Sequence, residues 1–254
     1  MTKTKKLMIW AAWLILWPMS FVIIYQIKPP DINGDYFSVL GMAVLVVISA
    51  FFNFKLGSRD ILVVEGISIA TFLIFGIFVE MVITQIMTIN YALSKRFDKE
   101  TLNKIPLNSL MFIVVSLTSG GVYYLIGGET GPLAAHESLN ILPILVYGVS
   151  TFVTNQVVIM LMSKYIAKQS YKIDKDILYE ALTLILVIPI GLVLYLLYSD
   201  MGGRALFFIA IPIITLSVIF HLVSKSYSLN RLLQKTSDIG RELTEKLDVN
   251  HIVQ

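Results

Sequence analysis

Of the 254 residues, 56% are hydrophobic and 15% charged, at a mean hydropathy of +0.78, and the apolar residues come in runs too long for the helices of a soluble domain. The chain has no cysteine, which excludes disulfides, thiolate nucleophiles and cysteine metal sites, and its three scattered histidines offer no metal-ligand spacing. The net charge of +3 sits in short loops, where it reports topology and not a nucleic-acid surface, so neither nucleic acid nor a cofactor is an expected partner.

In chain order, MTKTKK precedes an apolar run at 7–27. That run is long for a signal peptide and lacks a small-residue cleavage site, so it reads as a retained first span. Its Trp10, Trp13 and Trp17, with Tyr123, Tyr124, Tyr195 and Tyr198 further on, read as interfacial anchors. Further apolar stretches occupy 36–52, 61–93, 107–126, 141–166, 177–198 and 205–223, most of them near the roughly 20 residues a helix needs to cross hydrocarbon.

The stretch 61–93 is too long for one straight span and short for two, and charge decides between them. If it crosses twice, bending near Gly76, five basic segments lie in the cytoplasm: 3–6, the Lys55/Arg59 loop, 95–104, 164–175 and the tail from Lys225. The basic-poor segments 28–35, 127–138 and 199–204 then lie outside. The expected fold is therefore all-α, a polytopic membrane helical bundle of about eight crossings, or six plus a re-entrant hairpin, with both termini cytoplasmic. A compositional boundary near Val223 separates a transmembrane domain, 1–223, from a cytoplasmic helix, 224–254.

In that helix Leu229, Leu232, Thr236, Ile239 and Leu243 alternate spacings of three and four, the seam of a two-stranded coiled coil, although Leu247 breaks register. Glu242 with Lys246 and Arg241 with Glu245 stand at i and i+4 on the outer face, worth only tenths of a kcal/mol. A helix this short needs a partner in water. Two readings stay open, a parallel homodimer and a frayed solvated tail. The closing LDVNHIVQ carries apolar residues and no stop signal, as if a further domain followed.

IGRELTEKLDVNHIVQ, residues 239–254, resembles the entry helix of a GAF domain. FKLGSRDILVVEGISIATFLIFG at 54–76, LNSLMFIVVSLTSGGVYYLIGGETG at 107–131 and the Pro-containing last span are together similar to the integral sensory modules called MASE domains. Those modules head diguanylate cyclases, HD-type cyclic-di-GMP phosphodiesterases and some histidine kinases. The resemblance implies a sensor in a bacterial cytoplasmic membrane whose output domain lies outside these residues. In agreement, the chain has no G-G-D-E-F loop, no paired His-Asp and no phosphoacceptor helix, and His251 stands alone, so no catalytic residue is expected in it.

Polar groups within spans are costly and are therefore candidate sites for a small-molecule or membrane signal. Glu80 is one, with Gln85 about 140° away around a shared helix, so that the two do not cluster. Its competing reading is a protonated or interfacial side chain just past the bend. Asn155 and Gln156, beside Ser150, Thr151 and Thr154, are either interhelical hydrogen-bonding amides or pocket walls. The loop GGETGPLAAHES, 127–138, places Glu129, His136 and Glu137 outside, either as a plain turn or as a site for a small molecule, a cation or a proton. It lacks the spacing of a phosphate loop. Ser119 to Gly121 reads as a close-packing point, and Pro212 with His221 as a hinge in the last span.

Three functions compete. A sensor feeding a diguanylate cyclase through the dimeric helix leads, with phosphodiesterase and kinase outputs as variants. A small-solute transporter or solute-binding subunit is second, with the expected lack of a dense polar cavity counting against it. A membrane-embedded enzyme is third, since no H-E-x-x-H, intramembrane aspartate pair or G-x-S-x-G is present.

Overall fold

Hydrocarbon offers the backbone no hydrogen-bonding partner, so an apolar run must close its N–H and C=O groups within a helix. The computed structural model describes residues 3–32, 34–51, 54–56, 59–61, 64–94, 104–134, 138–167 and 175–252. In it the runs fold as α1 (Lys3–Ile27), α2 (Tyr36–Phe51), α3 (Val64–Phe75), α4 (Ile77–Ser94), α5 (Ile105–Leu125), α6 (Ile141–Met162, continued by a π-helical turn at Ser163–Ala167), α7 (Lys175–Met201) and α8 (Ala205–Ile252). The fold is all-helical apart from a small antiparallel hairpin in the Lys55/Arg59 loop, β1 (Phe54–Leu56) and β2 (Arg59–Ile61), with Lys55 opposite Asp60.

Among the described residues, the segments Thr4–Ile27, Ile105–Leu125, Ile141–Ile166 and Glu180–Thr215 are long and apolar enough to cross a membrane. The last contains the turn at Gly202–Arg204, so its 36 residues belong to two helices, α7 and α8. Shorter apolar helices cover Tyr36–Ser49, Glu65–Phe75 and Ile77–Asn90. Large apolar side chains such as Leu14, Ile15, Phe207 and Ile211 point outward from the periphery, as helices bathed in lipid require.

Contacts distinguish the two ends of the bundle. At the basic end, Lys5 Nζ donates to the carbonyls of Tyr165 (3.0 Å) and Ile166 (3.2 Å), joining the start of α1 to the close of α6. At the other end the Lys28 ammonium stands 4.5 Å over the Tyr124 ring, and the Gly131 N–H donates to the Leu73 carbonyl at 2.8 Å. There too the Leu133 N–H donates to Ser199 Oγ at 3.0 Å, and the Tyr198 hydroxyl donates to Asp35 Oδ2. Successive helices therefore run in alternate directions.

The expected bend in 61–93 is a reversal at Gly76. Its φ of +82° is a left-handed conformation that costs glycine little and other residues more, and it ends α3 and starts α4. The chain folds back so far that Ser68, before the turn, hydrogen-bonds Glu80, after it, at 2.8 Å. The two helices supply the largest share of the buried core, including Ile67, Phe72, Leu73, Ile74, Met81 and Ile83. Phe72 stacks on Tyr147 with ring centroids 4.2 Å apart and meets Tyr123 edge-on at 4.9 Å.

With 12 residues, α3 reaches only about 18 Å at 1.5 Å per residue, short of the roughly 30 Å of a hydrocarbon core. It starts beside the middle of α7, where Gly66 and Gly191 bring the two backbones together. A Cβ on Gly191 would stand 2.7 Å from the Gly66 carbonyl oxygen, and one on Gly120 would meet Ile77 Cδ1 at 2.7 Å, whereas Gly121 faces open space.

The compositional boundary near Val223 leaves no mark on the backbone. α8 runs unbroken for 48 residues, about 72 Å, from the membrane-type segment through Pro212 into the charged tail.

The close approach of α3 and α7 is testable. Gly191→Ala should destabilise the chain by about 1–3 kcal/mol through overpacking against a carbonyl that has nowhere to move. Gly121→Ala, with open space around it, should leave the thermal midpoint in detergent unchanged or raise it slightly. Equal midpoints for Gly191→Ala and the parent chain would sink the packing argument.

Candidate functional site

The short α3 leaves room beneath it, and five helices turn polar residues into that space. α4 contributes Glu80 and Thr84, α5 Ser116 and Ser119, α6 Tyr147, Thr151 and Asn155, α7 Glu180, and α3 Glu65 and Ser68. On each helix the spacings of three or four put these residues on one face. The cavity is about 90 Å³, with Phe112, Phe152 and Leu184 among its apolar walls. The cavity is mainly apolar with a few polar groups, and its members are too far apart in the chain for any local pattern to show them together.

Glu80 lies at its floor, 3% exposed. It sits just past the Gly76 bend, as the sequence reading placed it, and is buried from solvent. Oε1 accepts from Ser68 Oγ at 2.8 Å, and Oε2 is buried with no hydrogen-bond partner. Nearby hydroxyl protons are committed elsewhere: Ser119 donates to the Val115 carbonyl at 2.6 Å, Thr151 to Tyr147 at 2.9 Å and Thr84 to Met81 at 2.9 Å. Their oxygens therefore face the cavity as acceptors. At the mouth, Glu65 is exposed in the first turn of α3, and Asn155 Nδ2 donates to Glu180 Oε1 at 2.6 Å. Asn155 is thus at once an interhelical tie and a cavity wall, whereas Gln156 is half-buried and does not line the cavity.

The sequence reading passed over Glu65 and Glu180, although each is an ionisable residue inside an apolar stretch, which is signal enough. Among the described residues no group of three His, Asp or Glu side chains could hold a metal ion. The arrangement offers acceptors and negative charge without a metal cage.

Gln85 and Asn90 serve other helices, as their spacing from Glu80 requires. Ser109 Oγ donates to Gln85 Oε1 at 2.5 Å, Trp13 Nε1 donates to Ser109 Oγ at 2.8 Å, and Trp17 Nε1 to Gln85 Oε1 at 3.3 Å. Asn90 Nδ2 donates to the Val47 carbonyl at 2.8 Å. This corrects the reading of Trp13 and Trp17 as interfacial anchors: their indole N–H groups are spent inside the bundle, clamping α1 to α4 and α5.

The glycine loop forms a second, wider cavity of about 490 Å³ at the opposite end from the basic loops. It is pinned in place, with Tyr123 Oη donating to the Glu129 carbonyl at 2.6 Å and Tyr195 Oη to the Gly131 carbonyl at 3.1 Å. The Glu129 side chain is exposed on the wall of this cavity. His136 and Glu137 lie outside the described residues. On α8, Leu229, Leu232, Thr236 and Ile239 are all exposed. Leu243 is placed there by its backbone, but its side chain, like that of His221, lies outside the described residues.

At the same end Asp35 accepts from the Ser38 N–H at 3.2 Å and from the Tyr198 hydroxyl, tying α2 to α7. Burial works to raise its pKa, but the hydrogen bonds from Ser38 and Tyr198 outweigh it and hold the carboxyl below its ordinary value. A depressed carboxyl stabilises the fold above its unfolded pKa, near about 4, and loses that contribution as pH falls through the folded value. Asp35→Asn should therefore lower the thermal midpoint at neutral pH, and its gap from the parent chain should close as pH falls below about 4. A gap independent of pH would remove the carboxylate from the account.

Comparison of the chain with protein-family models, curated proteins and solved structures finds no match.

Proposed function

We propose that this chain is the membrane-integral input region of a bacterial signalling protein. In this reading it sits in the cytoplasmic membrane as a parallel homodimer with both termini in the cytoplasm. Its eight helices cross in alternation, α3 and α4 as a short hairpin. The output domain that follows is a diguanylate cyclase, with an HD-type phosphodiesterase or a histidine kinase as the alternatives.

One observation carries this reading: α8 is a single helix from its buried residues Ala205, Ile209 and Ile213 to the heptad positions beyond. An unbroken helix transmits a shift or rotation at one end to the other, which a linker would absorb. Its heptad side chains Leu229, Leu232 and Ile239 are 52%, 59% and 58% exposed in the single chain, an apolar seam that a second copy would cover. The alternating helix directions also suit a topology with the basic segments on the cytoplasmic side, as cytoplasmic loops prefer.

The cavity is the input site in this scheme. It shares α7 with the bundle face on which α8 packs, so a ligand that favours one position of α7 has a mechanical route to α8. A signal works only by binding two arrangements with unequal affinity. A second reading, a small-solute transporter, gains from the same cavity, since solute sites of transporters lie between helices near mid-membrane.

Cysteines separate the two, because the chain has none of its own. Leu232→Cys and Ile239→Cys should each form a symmetric disulfide in membranes under mild oxidation, and a cysteine at the outward-facing Ser237 should cross-link far less. Absence of cross-linking at both seam positions in a folded chain would exclude the dimeric helix and leave solute transport as the function.

A further inference from the structure

The cavity's chemistry selects its occupant. Among the described residues its lining includes three carboxylic acids, Glu65, Glu80 and Glu180, and no Lys, Arg or His. Glu80 Oε2 is buried and unpartnered, so a donor is missing at the floor. The aromatic residues Phe112, Phe152 and Tyr147 line the space, together with the hydroxyls of Ser116 and Ser119. The volume of about 90 Å³ is some three times the roughly 30 Å³ that a water takes in the liquid, which is room for about three non-hydrogen atoms.

We propose that the Glu80 cavity binds a small alkylammonium ion, its N–H donors on Glu80 Oε2 and its alkyl carbons among Phe112, Phe152 and Tyr147. A carboxylate facing aromatic walls suits an organic cation, which gains from the ring faces as well as from the charge. Hard metal cations such as calcium and magnesium are poorly served, because they take six or more oxygen ligands and most of this lining is hydrocarbon. Neutral molecules of the same size can hydrogen-bond Glu80 but bring no charge to pair with it. Glu65 and Glu180 add two further carboxyl groups to the lining, which favour a cation over an anion.

The inference deepens the receptor reading and rests on the cavity being its input site. The test is thermal unfolding of the whole chain in detergent micelles, titrated with ethylammonium chloride against potassium chloride at matched ionic strength, and against ethanol as the neutral counterpart. Ethylammonium should raise the midpoint saturably, and the other two should not. Glu80→Gln, which keeps the shape and removes the charge, should raise the half-saturating concentration about tenfold or more. Phe112→Leu, at a half-buried wall position, should raise it about threefold, and it carries the test if Glu80→Gln does not fold.

An equal response to potassium or ethanol overturns the proposal, as does a half-saturating concentration unchanged in the folded variants. A chain that cross-links through Ile239→Cys but ignores ethylammonium keeps the sensor reading and loses this one. A chain that binds ethylammonium but does not cross-link keeps the cation site and loses the sensor.

Discussion

The reversal at Gly76 is the constraint on which the rest of the bundle depends. A positive φ at one residue turns an apolar stretch of some thirty residues into two helices lying against each other. Only because they fold back does Ser68 reach Glu80. Only because α3 is short does a space open below it, into which α5, α6 and α7 turn their polar faces. A straight helix here would put Ser68 and Glu80 about 18 Å apart and leave Glu80 without its hydroxyl partner.

Two polar groups on one helix illustrate how differently the bundle treats its buried polar atoms. Gln85 is held by Ser109 and Trp17, with Trp13 bound in turn to Ser109, a network that fixes α1 against α4 and α5. Such a network stabilises a packing arrangement because each member would lose its partner if a helix moved. Glu80, five residues earlier, keeps an oxygen without a partner in a space large enough to admit one. An unsatisfied buried polar atom is costly. The first polar group ties helices together, and the second is left with an unpartnered atom facing a cavity.

α7 and α8 share the consequences. Gly191 of α7 seats α3, Glu180 of α7 borders the cavity, and Tyr198 near its end holds Asp35 at the start of α2. α8 then leaves the same turn and continues as one helix. A change in the cavity therefore bears on the helix next to the one that leaves the bundle. The coupling this allows is short-range, through packed neighbours, and needs no distant pathway.

The sequence by itself determined the helices, the turn and the exposed seam, because each is a local matter. Apolar runs in hydrocarbon must be helical, Gly76 is one of two glycines in 61–93 that can turn backward at little cost and the one near its middle, and the spacing from Leu229 to Leu243 is periodic whatever surrounds it. It also marked Glu80 and Asn155, since a polar group in an apolar run is visible one residue at a time. Tertiary structure alone decided that these two border one cavity, that Glu65 and Glu180 border it as well, and that Trp13 and Trp17 face inward. The cavity is assembled from five helices, and which face of each turns toward the others is set by packing at points such as Gly66 on Gly191. No pattern along the chain encodes that choice, because in a membrane both the lipid-facing and the core-facing sides of a helix are apolar and periodicity no longer tells them apart.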